Sequence, residues 1–460
     1  MQGSCFPGQE FCPSERGVQG SCSPGQEPCT SFGHGTGTVR PESFAISKCT
    51  GLLHWYVAGA DTHRGLLSTA IMPFPNEPDH VTQLRETVRR FGAAEMPPEK
   101  VRQWDREHRF PPEVFRKLAA LGVCGLTIDE QYGGQGRDLL AAVAVIEELC
   151  RHGACLAGPF VHCAFYGGVN ISENGSDEQK RSLLPRLARG ELLFAYGLTE
   201  PDVGGDLASV GTTARRAPDG SSVIVNGTKR WCTGADFADY IYCLVQSDGD
   251  APRYANLSLV LIPPRTPGVT IQPIEHANIR YTLSSDVIFE DVEIPLDNVV
   301  GGPQAWNRGW GMLAGEALDV ERIEITAITF GIAQAAVEEA WRYGQERQQF
   351  GRPISGHQAV RHALVDARTK LEACRHMLHH AVTLANARRP CGVETSMAKL
   401  FVAETAVEIA IICQRVMGAY GLSGEYSMER HVRDLLGMPI VGGSSNMQRN
   451  NIANRLKLAG

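Results

Sequence analysis

The chain has no run of about twenty apolar residues, the length that a helix needs to cross a bilayer. Its longest candidate, from Leu52 to Ala60, is short and is interrupted by His54. It also has no excess of basic residues, because 51 acidic residues outnumber 44 basic ones and the net charge is −7. A protein that binds nucleic acid through phosphates needs a basic arm or patch. We therefore expect a soluble, cytoplasmic protein that binds neither a membrane nor nucleic acid.

The sequence also disfavours a Rossmann nicotinamide site and a disulfide framework. No G-x-G-x-x-G sequence opens a helix within a strand–helix–strand unit, which argues against a Rossmann nicotinamide site. Nine of the 14 cysteines occur singly in apolar or helical contexts, which predicts reduced core thiols and not a disulfide framework. These nine are Cys124, Cys150, Cys155, Cys163, Cys232, Cys243, Cys374, Cys391 and Cys413.

Residues 1–71 show almost no helical or strand periodicity and are rich in Gly, Pro, Ser and Cys. The segment QGSCFPGQEFCPS is followed by a near copy, QGSCSPGQEPCTS. The cysteines of this doublet are Cys5, Cys12, Cys22 and Cys29. Two interpretations are open, a small metal or disulfide module and a disordered leader. The spacing of the four cysteines matches no standard zinc pattern, which favours a leader without metal. Met72 is a candidate start of the protein.

Periodicity divides the rest of the chain into three blocks. A helical pattern covers 80–189, and short β-rich runs separated by Gly, Pro, Asn and Asp cover 196–300. Long amphipathic helices are then predicted at about 310–349, 356–387, 393–418 and, as a pair, up to 458. We expect an α+β protein with three domains, at 72–195, 196–304 and 305–460.

A carboxylate interrupts an apolar stripe in the third block. Leu318, Glu321, Ile325, Ile328 and Ile332 recur at steps of three and four, so they share one face of a helix. Burial raises the pKa of a carboxyl group, which suits a general acid or base. Two interpretations are open here: Glu321 is catalytic, or it lies in the first turn, exposed or paired with the next residue, an arginine.

The segment FAYGLTEPDVGGDLASV runs from a strand-like pattern into a turn with Gly204 and Gly205. Such a turn lets a cofactor approach backbone N–H groups closely. Tight turns also use glycine for conformational reasons alone. The pattern by itself does not distinguish a cofactor loop from an ordinary turn.

Five motifs occur in the order found in the acyl-CoA dehydrogenase family, which the chain resembles over residues 75–458. YGLTEPDVGGDL resembles the flavin-binding YxxTEPxAGSD segment, and GTKRWCTGAD resembles GxKxWITNG. IFEDVEIPLDNVVG is similar to FxDVxVPxxNxLG, ERQQFGRPISGHQAV to RxxFGxxIxxxQ, and MGAYGLSGEYSMERHVRD to GGxGxxxEYPxERxxRD. The resemblance implies a helical N-terminal domain, a central β-barrel domain, a C-terminal four-helix bundle and FAD as cofactor.

The resemblance also implies which residues contact FAD. Those expected near the flavin ring are Tyr196, Leu198, Thr199, Gly204, Gly205, Trp231 and Thr233. Those expected at the diphosphate and adenosine, partly from a neighbouring subunit, are Arg347, Phe350, His357 and Gln358. Further FAD positions are Arg415, Gly418, Ser444 and Asn446. A homo-oligomer, either a tetramer or a dimer, is therefore implied.

The chain departs from the commonest family members at the catalytic base. Those members carry the base in a YEGT sequence, where this chain has Gly442. A subset similar to isovaleryl-CoA dehydrogenase carries it earlier, in a phrase like LDLERL, and ALDVERI places Glu321 there. The resemblance further implies that Asp319 and Arg322 lie near the CoA handle, and that a backbone N–H of Gly442 or Gly443 contacts the thioester oxygen.

The expected activity is FAD-dependent oxidation of the α,β bond of an acyl thioester, with an electron-transferring flavoprotein as acceptor. Acyl-CoA and an acyl- or prolyl-carrier protein are both open as substrates. A flavin oxidase or monooxygenase on the same fold is the alternative enzyme, and Glu321 favours a dehydrogenase. An inactive scaffold is disfavoured because Trp231 and Arg347 are retained.

Overall fold

The computed structural model describes residues 77–458. The cysteine doublet, the candidate start and the expected leader lie outside the described residues. Helices of the N-terminal block are α1 (Asp79–Glu95), α2 (Pro98–Glu107), α3 (Pro112–Ala119), α4 (Leu139–His152), α5 (Ala157–Val161), α6 (Asn170–Asn174) and α7 (Asp177–Ala188). A small antiparallel pair, β1 (Thr127–Ile128) and β2 (Gly136–Arg137), lies among them. A π-helix, His162–Val169, joins α5 to α6.

The second block is one mixed sheet of seven strands. Its strands are β3 (Phe194–Gly197), β4 (Thr213–Arg216), β5 (Ser222–Thr233), β6 (Tyr240–Gln246), β7 (Leu257–Ile262), β8 (Val269–Ile274) and β9 (Ser284–Pro295). Their order is β3-β6-β4-β5-β9-β8, and β7 pairs with β6. One face encloses a separate apolar core that includes Val225, Ile241 and Val287, so the sheet curves around its own interior.

The C-terminal block consists mainly of long helices. They are α8 (Gly309–Met312), α9 (Leu318–Glu346), α10 (Gln358–Asn386), α11 (Gly392–Met417), α12 (Met428–Leu436) and α13 (Ser445–Arg455). A short hairpin, β10 (Gln348–Gln349) and β11 (Arg352–Pro353), joins α9 to α10. Short 3-10 helices elsewhere are Val123–Gly125, Glu130–Tyr132, Leu207–Ser209, Leu296–Asn298, Pro303–Ala305, Ile354–Gly356 and Gly418–Leu422. A second π-helix is Leu313–Ala317.

Gln179 connects the N-terminal helices to the sheet. Its side chain completes a capping box with Ser176 at the start of α7, because each accepts a hydrogen bond from the other's backbone N–H. The same amide donates to the carbonyls of Asp297 and Val299, both at 2.8 Å. The residue that caps α7 therefore also holds the segment after β9 against the first block.

The α+β class and the order helices, sheet, helices agree with the sequence predictions, but the helix predicted over 310–349 is wrong at its start. Gly315 leaves the helical region (φ −84°, ψ −133°), and the long helix begins at Leu318. Glycine has no Cβ to restrict this backbone conformation. The kink places the catalytic candidates of this segment in the first turn of α9.

The nine cysteines predicted as reduced core thiols are all free and buried. Burial also raises the pKa of several of them, Cys150 and Cys155 included, so they are poor nucleophiles. Among the helices of residues 77–458, none combines the length and hydropathy that a membrane span requires.

Candidate active site

Glu321 lies in the first turn of α9, on the predicted apolar stripe. Ile328 and Ile332 of that stripe are buried, with exposures of 5% and 2%. The first-turn position agrees with the alternative interpretation of this residue, but the pairing with Arg322 that it offered is not formed; Arg322 donates to Asp319 at 2.5 Å. Within the described residues the Glu321 carboxylate has no ion pair. The helix start leaves this carboxylate unpaired and partly accessible.

Desolvation raises the pKa of Glu321 to about 7, against the lowering influence of Arg322 and Lys399. Lys399 is itself fully buried and donates to the carbonyl of Met438 at 3.0 Å. Its own pKa falls to about 8, because burial disfavours its charge more than Glu321 favours it. A carboxylate with a pKa near neutrality is suited to proton transfer.

Gly442 and Gly443 form a turn whose backbone needs residues with positive φ, at 62° and 79°. A Cβ at Gly442 would lie 3.0 Å from Cγ1 of Ile325, one helical turn after Glu321. The position that the resemblance matches to the base of common family members therefore faces the same side of α9 as Glu321. Ser444 then caps α13, accepting from the N–H of Met447 at 3.4 Å.

A buried ion pair joins the two flavin motifs of the second block. Glu200 accepts from Nζ of Lys229 at 2.8 Å and from the N–H groups of Gly211 and Thr212 at 2.7 and 2.8 Å. Lys229 also donates to the carbonyl of Leu198 at 3.2 Å. The loop after β3 is thereby held beside β5.

Trp231 lies in a bulge of β5. The β5–β9 register shifts between Lys229 and Cys232, and Trp231 has a φ of 63° with half of its side chain exposed. The adjoining N–H of Arg230 donates to the carbonyl of Thr199 at 2.8 Å. The bulge therefore presents an open indole surface next to Thr199.

The glycine turn is open to solvent and lies beside the C-terminal block. A Cβ at Gly204 would meet nothing within 4 Å, whereas one at Gly205 would lie 3.1 Å from Sδ of Met447 in α13. Ser444 and Asn446 are neighbours of Met447 in the sequence, so they also lie close to this turn. Thr233 shares a hydrogen bond of 2.9 Å with Ser284. Exposed indole, threonine hydroxyls and uncovered backbone N–H groups fit a flat, polar cofactor ring.

The other predicted FAD positions lie at the far end of α9. Roughly 37 Å of helix separates Glu321 from Glu346, at 1.5 Å per residue. Beyond it, Phe350 occupies the tip of the β10–β11 hairpin with positive φ and 93% exposure. The hairpin and its surroundings contain Arg347, His357, Gln358, Arg415 and Gly418. One copy of the chain therefore does not bring the two predicted groups together.

The Arg347 guanidinium lies 5.7 Å from the centre of the Tyr420 ring, which connects the hairpin to the end of α11. His357 contacts the Gln349 carbonyl at 3.1 Å and Arg352 at 3.2 Å. This second cluster is cationic and exposed, which suits the phosphates of a cofactor held by another copy.

Sequence reasoning missed a group of polar residues next to Glu321. Tyr166, from the π-helix of the first block, stacks on Tyr196 with ring centres 3.8 Å apart. Asn170 donates to the Tyr196 hydroxyl at 2.6 Å. Glu324, one turn after Glu321, is 1% exposed, and neither carboxyl oxygen has a hydrogen-bond partner. Its three-residue spacing from Glu321 was the available signal.

Comparison with known proteins finds family models that match each of the three blocks of the chain. Models of the N-terminal, middle and C-terminal domains of acyl-CoA dehydrogenase match residues 78–191, 195–292 and 307–457. An acyl-CoA dehydrogenase of Bacillus subtilis (strain 168) is 34% identical over 377 residues, covering 80% of this chain and 97% of that one. Butyryl-CoA dehydrogenase from Megasphaera elsdenii has a TM-score of 0.79 at 28% identity, covering 84% of this chain and 100% of that one.

A chain in a structure described as the electron transferring flavoprotein of Acidaminococcus fermentans has a TM-score of 0.78 at 30% identity, covering 84% of this chain and 100% of its own. Both the sequence matches and the structural matches extend over the three described blocks. The chain therefore belongs to the acyl-CoA dehydrogenase family of FAD-dependent oxidoreductases.

Proposed function

We propose that this protein oxidises the α,β carbon bond of an acyl-CoA thioester, with Glu321 as the base that removes the α proton. The observation that supports this most directly is the Glu321 carboxyl group, unpaired within the described residues and with a pKa raised to about 7. Such a group is substantially ionised at neutral pH and is basic enough to accept a proton from an acidified C–H.

Tyr196, Leu198, Thr199, Trp231 and Thr233 are proposed to hold the flavin ring, with backbone N–H groups of Gly204 and Gly205 at its polar edge. When bound, FAD supplies the acceptor for the β hydride. The exposed Trp231 indole excludes water from the ring, and the Glu200–Lys229 pair keeps the Thr199 loop in place.

The turn at Gly442 and Gly443 is proposed to orient the thioester. A backbone N–H from this turn would donate to the thioester oxygen and stabilise the negative charge that develops when the α proton leaves. Asp319 and Arg322 form an ion pair one turn from Glu321, and we propose that they contact the CoA handle.

A second copy of the chain is proposed to complete the FAD site, with Arg347, Phe350, His357, Gln358, Arg415 and Gly418 contacting the diphosphate and adenosine. Ser444 and Asn446 of the copy that holds the ring are proposed to add contacts near it, because Met447 of the same helix lies beside Gly205. The distance along α9 between the two clusters supports this arrangement. The proposed assembly is a dimer or a tetramer.

An electron-transferring flavoprotein is the proposed electron acceptor. A carrier-protein thioester in place of acyl-CoA, and oxygen in place of the flavoprotein, are the competing outcomes of the experiment that follows.

The test is anaerobic titration of the purified FAD-containing protein with short, branched and long acyl-CoAs, followed by the visible flavin spectrum. We expect at least one acyl-CoA to bleach the wild-type flavin. Glu321→Gln should retain FAD and bleach about 10² to 10⁴-fold more slowly, because a general base contributes that much.

Glu346→Gln is the matched control, since it makes the same change at an exposed position on the same helix, and it should behave like wild type. A Glu321→Gln variant that bleaches at the wild-type rate contradicts the assignment of the base. A flavin that responds only to a carrier-protein thioester, or only turns over with oxygen, contradicts the proposed substrate or acceptor.

A further inference from the structure

Glu324 is a buried carboxyl group that the proposed reaction does not use. It lies three residues after Glu321 on α9, is 1% exposed, and has both carboxyl oxygens without a hydrogen-bond partner in the described part of the chain. Buried carboxyl groups in proteins are nearly always paired. An unpaired one at this depth destabilises the fold, so stability does not explain its presence.

The surroundings of Glu324 are polar but contain no compensating cation. Its pKa is raised well above the ordinary value by burial first and by the charge of Glu321 second. Neither Arg322 nor Lys399, which act on Glu321, contributes to Glu324. Among the described residues its oxygens therefore lack both a hydrogen-bond donor and a positive charge.

Glu324 lies on nearly the same side of α9 as Glu321, because residues three apart on a helix are neighbours on its surface. The charges of both carboxylates act on the phenols of Tyr166 and Tyr196, which belong to the first and second blocks. These two rings stack at 3.8 Å and are partly accessible, as Glu321 is. A wall of two phenols and a carboxyl group thus continues from the proposed base, roughly 4.5 Å further along the helix axis.

From this arrangement we infer that Glu324 determines specificity, by selecting acyl thioesters whose chain carries a hydrogen-bond donor, a hydroxyl or a protonated amine, beyond the β carbon. The inference rests on the proposed function, which places the α carbon at Glu321. A donor further along the chain reaches the unpaired oxygens of Glu324 and is flanked by the hydroxyls of Tyr166 and Tyr196. A plain alkyl chain leaves this carboxyl group unpaired, which disfavours its binding.

The test compares valeryl-CoA, 5-hydroxyvaleryl-CoA and 5-aminovaleryl-CoA as substrates of the FAD-containing protein. Anaerobic flavin bleaching gives the rate, and spectral titration of Glu321→Gln, in which binding is complete before the slowed bleaching, gives the dissociation constant. We expect wild type to favour one or both substituted chains over valeryl-CoA by about tenfold or more in kcat/KM. Glu324→Leu should reverse that preference, because its side chain is apolar and similar in size.

Glu324→Gln distinguishes the two donors. It keeps a hydrogen-bond acceptor but cannot ionise, whereas a bound ammonium group would favour the ionised form of Glu324. A preference for the hydroxyl therefore survives in this variant, and a preference for the ammonium group is lost. It also serves as a second variant if Glu324→Leu folds poorly, and FAD content with thermal unfolding checks both. Glu346→Leu, an exposed change on the same helix, should leave the preference unchanged.

Bleaching by valeryl-CoA as fast as by either substituted chain overturns the role of Glu324 and leaves the proposed function intact. A preference for the substituted chains that persists in Glu324→Leu overturns it as well. If none of these thioesters, and no member of the broader acyl-CoA panel, bleaches the flavin, the proposed function fails and the inference fails with it.

Discussion

Glu321 and Glu324 lie one turn apart on α9, and only the first has to be ionised for the proposed reaction. Because desolvation raises the pKa of Glu321 to about 7, its basic form is lost as the pH falls below that value. We expect the rate of flavin reduction to fall about tenfold per pH unit below about 7 and to level off above it. Anaerobic stopped-flow measurements across pH 5 to 9 would show this, and a rate that stays level from pH 9 down to pH 5 would contradict it.

Glu324→Leu should stabilise the protein. It removes a carboxyl group that is buried without a partner, a defect that costs about 1–3 kcal/mol. The folded protein binds the Glu324 proton more tightly than the unfolded chain does, whose ordinary pKa is 4.5. Wild-type stability therefore falls as the pH rises above about 4.5, and the advantage of the variant grows with pH.

Urea unfolding of wild type and Glu324→Leu at pH 5 and pH 8 measures this advantage. A variant less stable than wild type at both values would show that Glu324 has a partner that stabilises the fold.

The sequence identifies Glu321 because its stripe is a local pattern, readable from Leu318 to Ile332. The depth of Glu324 depends instead on Tyr166 and Tyr196, which come from two other blocks of the chain. No spacing within α9 predicts which distant residues pack against it. The candidate base was therefore within reach of sequence reasoning, and the packing of Tyr166 and Tyr196 around Glu324 was not.

At the scale of elements, the Lys229–Glu200 pair is the contact on which the flavin loop depends. Lys229 is fully buried, so Lys229→Met leaves the Glu200 carboxylate uncompensated in the interior. We expect a loss of about 3–5 kcal/mol in the free energy of unfolding, with weaker FAD binding because the Leu198 carbonyl loses its donor. Denaturant unfolding and FAD titration measure the two effects.

Lys370→Met is the control for that variant. Lys370 pairs with Glu408 at 2.6 Å, but both side chains are exposed to water, and exposed pairs contribute about 0–1 kcal/mol. If Lys229→Met and Lys370→Met lost equal amounts of unfolding free energy, the burial of the Lys229–Glu200 pair would not explain its contribution to stability.

Element type was predictable, but the irregular points were not. The kink at Gly315 and the bulge at Trp231 both interrupt segments whose periodicity is regular on either side. Each is a backbone distortion set by tertiary packing, and composition carries only a weak trace of it, a single glycine in the first case. The proposed site lies at these two irregularities, because the kink positions Glu321 and the bulge exposes the indole.

At the scale of the whole molecule, a substitution in the hairpin after α9 tests whether two copies of the chain assemble. Phe350 is 93% exposed at its tip, next to the cationic Arg347. If a second copy covers this tip and shares its FAD, Phe350→Ser should lower both the molecular mass in solution and the affinity for FAD. Light scattering and FAD titration give the two readouts.

Leu121→Ser is the control, because it makes a similar change at a half-exposed apolar position in the first block. It should change neither the molecular mass in solution nor the affinity for FAD. A Phe350→Ser protein that stays assembled and retains FAD would exclude a role of the hairpin in a shared site. The family resemblance assigns the hairpin to the diphosphate and adenosine, partly in a neighbouring subunit, and the length of α9 separates it from the flavin-ring positions within one copy.

Gly442 has a consequence for how this enzyme diverged from relatives with a YEGT base. Its positive φ disfavours any side chain, and a Cβ there would press against Ile325 at 3.0 Å. A glutamate at 442 would therefore strain the backbone of this turn and require Ile325 to move by a few tenths of an ångström. In this chain, moving the proposed base from 321 to 442 is therefore opposed by the packing of Ile325 and by the backbone of the turn, and not by the chemistry of the carboxyl group.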